Sequence, residues 1–101
     1  MKMLFVIFRQ SLEEDVQRLL RDLGLKGFTE ATKLLGTGEA GQVANTLQQP
    51  GFNSLVFSAL EDQEADMTIA ALTKFRDHLS ISQNGAAIPL RVFVLPCQQV
   101  L

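Results

Sequence analysis

The chain has 101 residues, 47% hydrophobic and 20% charged, a balance that suits one globular domain over residues 1–101 and excludes a disordered or low-complexity polypeptide. Nine basic residues scattered among eleven acidic ones leave a formal net charge of −2, which excludes the basic stripe by which proteins release counterions from nucleic acid. One cysteine and one histidine supply neither an intramolecular disulfide nor a transition-metal ligand set, and no apolar run is long enough for a membrane span or a signal core, so a cytoplasmic protein that is not itself membrane-inserted is expected.

Met3 to Phe8 (MLFVIF) is short, apolar and rich in aromatic and branched residues, and predicts a first strand. Ser11 and Glu14 then have the spacing of a capping box, and Leu12, Val16, Leu19, Leu20 and Leu23 recur at helical intervals before Gly24 offers a left-handed stop. Phe28 to Leu35 reads as a second strand whose polar Thr29, Glu30, Thr32 and Lys33 suit an edge. From Gly36 to Gly51 the chain holds four of its seven glycines and one of its three prolines, with a weak helical turn suggested by Val43 and Leu47. A connection of that length in a compact domain is usually functional or disordered, and it is read here as the functional loop.

Asn53 to Leu60 (NSLVFSAL) predicts the third strand. The acidic run Glu61, Asp62, Glu64 and Asp66 suits a helix N-terminus, Ala65, Ile69, Leu72, Phe75 and Leu79 form that helix's buried stripe, and Lys74, Arg76 and His78 are expected near its C-terminal end. Ser80 to Pro89, with Asn84-Gly85, is a second loop, and Leu90 to Leu95 (LRVFVL) is the last strand, ended by Pro96. The order is βαββαβ. Right-handed crossovers then give an α+β, ferredoxin-like fold, a four-stranded antiparallel sheet with both helices on one face.

The other face of that sheet is apolar as well. Met3, Phe5 and Ile7 point one way and Leu4, Val6 and Phe8 the other, and Leu90, Val92 and Val94 oppose Phe93 and Leu95. A face open to water should alternate with polar residues, so the helix-free side is expected to be buried against further copies of the chain.

Gly36-Thr37-Gly38-Glu39-Ala40-Gly41 matches G-x-G-x-x-G, and Glu61 lies twenty residues after Gly41. That fingerprint should open a long helix on a parallel sheet, whereas Gln42 to Gln49 is short, polar and stopped by Pro50-Gly51, so a dinucleotide fold is rejected. Two readings stay open: glycines that let backbone amides approach a phosphate, and glycines that only make a turn. No nucleophile stands with a base and no acid pair marks a cleft. Cys97 is expected to be small and buried, the acidic run solvated, and His78 a charge complement to the second helix. Arg91 interrupts an apolar strand and must meet solvent or an anion.

Three stretches resemble the PII-type signalling proteins. Gly27-Phe28-Thr29-Glu30 followed by Gly36-Thr37-Gly38 looks like the second strand and glycine-rich loop base of that family; Arg91-Val92-Phe93-Val94-Leu95-Pro96 is similar to its last strand, where a lysine commonly stands at the Arg91 position; and the first strand and helix agree in length. The resemblance implies a trimeric, non-enzymatic regulator that senses a small ligand, such as ATP, ADP or AMP, in clefts between subunits. It would act on a membrane transporter or metabolic enzyme through loop 36–51, and Thr29, Gly36, Thr37, Gly38, Gly85 and Arg91 match its ligand-contacting motifs. The chain departs from the family pattern in having no tyrosine, a shorter loop, and no Gly-Asp-Gly between Asn84 and Leu90; it also ends at Leu101, before the arginine-bearing segment usual there. The alternative on the same scaffold is a small ferredoxin-like enzyme or a CutA-like metal-handling protein.

Overall fold

A computed structural model describes residues 1–38, 41–42 and 51–101. Strand β1 (Lys2–Arg9) leads through a 3-10 turn (Gln10–Leu12) into α1 (Glu13–Asp22), and β2 (Thr29–Leu34) comes next. Two short strands, β3 (Thr37–Gly38) and β4 (Gly41–Gln42), form their own antiparallel ribbon. Then come β5 (Asn53–Leu60), α2 (Asp62–Ser82) and β6 (Leu90–Pro96). The main sheet has the antiparallel order β2-β5-β1-β6, which is the ferredoxin-like arrangement expected from the sequence. The helical turn suggested at Val43 and Leu47 lies outside the described residues.

The register explains why both sheet faces are apolar. Leu4, Val6 and Phe8 pair across β1 with Ser58, Val56 and Ser54 on one side and with Val94, Val92 and Leu90 on the other. Partners in a ladder share a face, so this set lies under the helices, where it meets Leu12, Val16 and Leu20 from the first helical segment and Ala65 and Leu72 from α2. The opposite face carries Met3, Phe5 and Ile7 with Leu55, Phe57, Phe93 and Leu95. Phe5 and Phe57 stack there with ring centroids 6.1 Å apart, and Phe93 and Leu95 stay 50% and 51% exposed.

Both helices end in the same way. After α1, the Leu25 N–H reaches the Leu20 carbonyl and the Gly24 N–H that of Arg21, with Gly24 at φ +78°. After α2, Gly85 bonds Ser80 and Asn84 bonds Ile81, with Asn84 and Gly85 at φ +59° and +80°. These are the paired bonds of a Schellman stop, which needs a residue that tolerates the left-handed region.

Three expectations are corrected. The capping box at Ser11 and Glu14 does not form: α1 begins at Glu13 with Leu12 as its N-cap and no side-chain cap bond. The 3-10 turn closes through the Glu13 N–H to the Gln10 carbonyl, and buried Leu12 anchors it, leaving Ser11 exposed within the turn. Helix α2 runs on through Ser82, because nothing in Ser80-Ile81-Ser82 breaks it before Asn84. Its last turn therefore holds no basic residue, and Lys74, Arg76 and His78 lie further back along its surface. Cys97 is only half-buried, just past β6, where its N–H donates to the Met1 carbonyl at the end of the ladder between β1 and β6.

Candidate functional site

Thr29 opens β2 and faces the helix-free side, paired with Phe57 in the row that continues through Phe5 to Phe93. The ladder between β2 and β5 shifts register between Ala31 and Leu34, and Lys33 within that bulge has φ +58°. Such a bulge bends an edge strand and re-aims the chain beyond it. Gly36 comes next, packed so closely on β5 that an added Cβ would strike the Asn53 Nδ2. Thr37 and Gly38 then form β3, with Thr37 exposed.

Gly85 and Arg91 lie on the far side of the sheet. Gly85 is part of the stop that ends α2, a structural duty that by itself accounts for a glycine there. Arg91 is exposed on β6, opposite Ile7, with no ion pair among the described residues. Its row runs Arg91, Ile7, Leu55, Ala31. At ~4.8 Å per strand, the two edges are separated by roughly 14 Å. The six candidate residues thus fall into two groups on opposite edges: Thr29, Gly36, Thr37 and Gly38 on the β2 side, and Gly85 and Arg91 on the β6 side. A single chain does not bring them together.

The β6 edge contains a groove of about 540 Å³ between the strand and α2. Leu72, Leu90 and Val92 supply apolar surface, Thr73 and Arg76 line it from α2, and Arg91, whose side chain belongs to the helix-free row, borders it on the strand; among the described residues no carboxylate lines it. The volume lies within the range of small-molecule sites, and the chemistry suits a ligand with an apolar body and a negative charge. Among the described residues Arg76 forms an ion pair with its exposed sequence neighbour Asp77, at 3.3 Å, a pair of little energetic weight in water. The sequence reading missed Arg76 as a groove residue by treating it as a complement to the helix end. The usable signal was its spacing from Ile69, Leu72 and Thr73, which places it on the flank of the buried stripe. Among the described residues no cluster of three His, Cys, Asp or Glu side chains could hold a metal, and no helix is long and apolar enough to cross a membrane.

Comparison with known proteins accords with this architecture. The family model for nitrogen regulatory protein P-II matches residues 1–101. Among solved structures, CPII of Thiomonas intermedia K12 bound to ADP and bicarbonate is similar at TM-score 0.69 and 22% identity, over 93% of this chain and 82% of that one. The same PII-like protein bound to ADP, AMP and bicarbonate gives 0.67 at 21% identity, over 93% and 86% of the two chains. Its apo form gives 0.64 at 19% identity, over 93% and 85%. Among curated proteins none matches.

Proposed function

The chain belongs to the nitrogen regulatory protein P-II family, and from that premise we propose that it is a non-enzymatic regulator built as a homotrimer of one domain over residues 1–101. Each subunit contributes its β2 edge to one ligand cleft and its β6 edge to the next. The observation that supports this reading is that Thr29 and Arg91 lie on opposite edges of one sheet, so that a neighbouring copy set edge to edge would bring the two candidate groups together. The helix-free face, with Phe5, Phe57, Phe93 and Leu95, supplies apolar surface for the assembly.

The ligand is an adenine nucleotide, as in CPII, whose structures hold ADP, AMP and bicarbonate. Arg91, assisted by Arg76, takes the phosphates; Thr29 and the glycines Gly36 and Gly38 line the neighbour's side, and Thr37 sits where backbone can approach the ligand. Segment 36–51 presents the outcome to a transporter or metabolic enzyme. Binding shifts that segment only by its differential affinity for the segment's states. Isothermal titration with ATP, ADP and AMP, each with and without bicarbonate, tests the ligand. Saturable heat with one of them is expected, and no heat at millimolar nucleotide removes the nucleotide from this reading.

A further inference from the structure

The chain leaves β2 and enters β5 at one place. Beyond the bulge at Lys33 the ladder between these strands resumes in one pair, Leu34 opposite Asn53, and Asn53 also stands opposite Arg9 of β1. Segment 36–51 therefore begins just after one member of that pair and ends just before the other. Ser54 is buried under the helices, so Asn53, its neighbour along the strand, is directed to the helix-free side. Its carboxamide lies against the backbone of Gly36.

Neither a turn nor an approaching ligand accounts for the glycine at position 36. Its φ is outside the left-handed region that Gly24 and Gly85 occupy, so the backbone angle admits a side chain. The space that side chain would take is not open to a ligand, because it holds the Asn53 Nδ2, with Cγ 3.7 Å from the position of a Cβ. Among the described residues, chain neighbours apart, no other atom lies within 4 Å of that position.

We infer that Asn53 is a positioning residue: its carboxamide occupies the side-chain space of Gly36 and so fixes where segment 36–51 leaves the sheet. Glycine is required at position 36 because of Asn53, and the two residues form one contact between the ends of the segment. Thr37 and Gly38 follow at once as β3, paired with Gln42 and Gly41 of β4, so a displacement at Gly36 passes directly to that ribbon. A ligand of the proposed cleft then reaches the Gly36 backbone only from the side away from Asn53. The contact does not depend on which ligand the cleft takes.

The energetics follow from which atom is struck. An alanine at position 36 drives the Asn53 carboxamide off its rotamer or moves the chain, and either lowers the folding equilibrium constant by about two- to tenfold. With the carboxamide removed, the same alanine meets no described atom and leaves the unfolded chain less freedom to lose, which raises the constant by up to about fivefold. The sign of the substitution is thus set by residue 53.

The test uses the ligand-free full chain as wild type, Gly36→Ala, Asn53→Ala and the double variant. Urea unfolding at one fixed chain concentration should show Gly36→Ala destabilising in the wild-type background and neutral or stabilising in the Asn53→Ala background. Should Gly36→Ala by itself fail to fold, the double variant must still fold. Amide NMR should show the Thr37 and Gly38 resonances displaced in Asn53→Ala, while those of Leu4 and Val6 in the core of β1 stay in place. Gly36→Ala costing the same in both backgrounds, a double variant that does not fold, or Thr37 and Gly38 resonances unmoved by Asn53→Ala overturns the inference.

Discussion

If the proposed trimer forms through the helix-free face, replacing Phe93 with aspartate should dissociate it without unfolding the chain. Phe93 lies on the helix-free face, in the row with Phe5 and Phe57, and is 50% exposed in the single chain. Covering the remaining half of a phenylalanine removes about 100 Å² of apolar surface, which at ~25 cal/mol per Å² contributes about 2.5 kcal/mol per subunit. Three equivalent copies then contribute roughly 7–8 kcal/mol, a large share of the margin that holds an oligomer together after association costs. An aspartate forfeits this and adds the cost of burying an unpaired carboxylate, several kcal/mol more if it cannot reach water. The fold should survive, since the buried core of Leu4, Val6, Phe8, Val16, Leu20 and Leu72 lies on the other side of the sheet. Light scattering coupled to size exclusion should report three chain masses for wild type and one for Phe93→Asp, with matching far-ultraviolet circular dichroism. A wild-type protein that stays at one chain mass at high concentration, or a variant that stays at three, would refute the reasoning.

Leu20→Ala, at a fully buried core position, should lower unfolding free energy by about 2–5 kcal/mol, seen as a lower urea midpoint with an unchanged slope. Lys33→Gly should raise it by up to ~1 kcal/mol by relieving the left-handed conformation at the β2 bulge, and a loss of stability in the same titration would show that the lysine side chain matters more than its backbone. Arg76→Ala should weaken ADP binding about tenfold, the value of one charge-assisted hydrogen bond, and AMP binding less. An unchanged ADP affinity with wild-type binding intact would remove Arg76 from the cleft while leaving the rest of the proposed site standing.

Alternation of side chains was enough to separate Leu4, Val6 and Phe8 from Met3, Phe5 and Ile7, because a strand's period of two leaves no other choice, but with both sets apolar only the packing showed that the first set lies under the helices. The helix stops were partly legible for the same kind of reason: Gly24 and Asn84-Gly85 tolerate backbone angles that most residues avoid. Ser11 and Glu14 misled because a capping motif competes with the 3-10 turn that Leu12 anchors, and burial of a leucine outweighs one side-chain hydrogen bond.

The order of elements, their apolar faces and the residue types available for binding an anion were determined by the sequence alone. The tertiary structure alone decided that Thr29 and Arg91 stand on opposite edges, that Arg76 shares a groove with Arg91, and that Glu13 meets Ser54 while Gln17 meets Glu30. The physical reason is range. Periodicity and turn chemistry act over a few neighbouring residues, whereas these juxtapositions depend on which strand pairs with which and where each helix lies across the sheet.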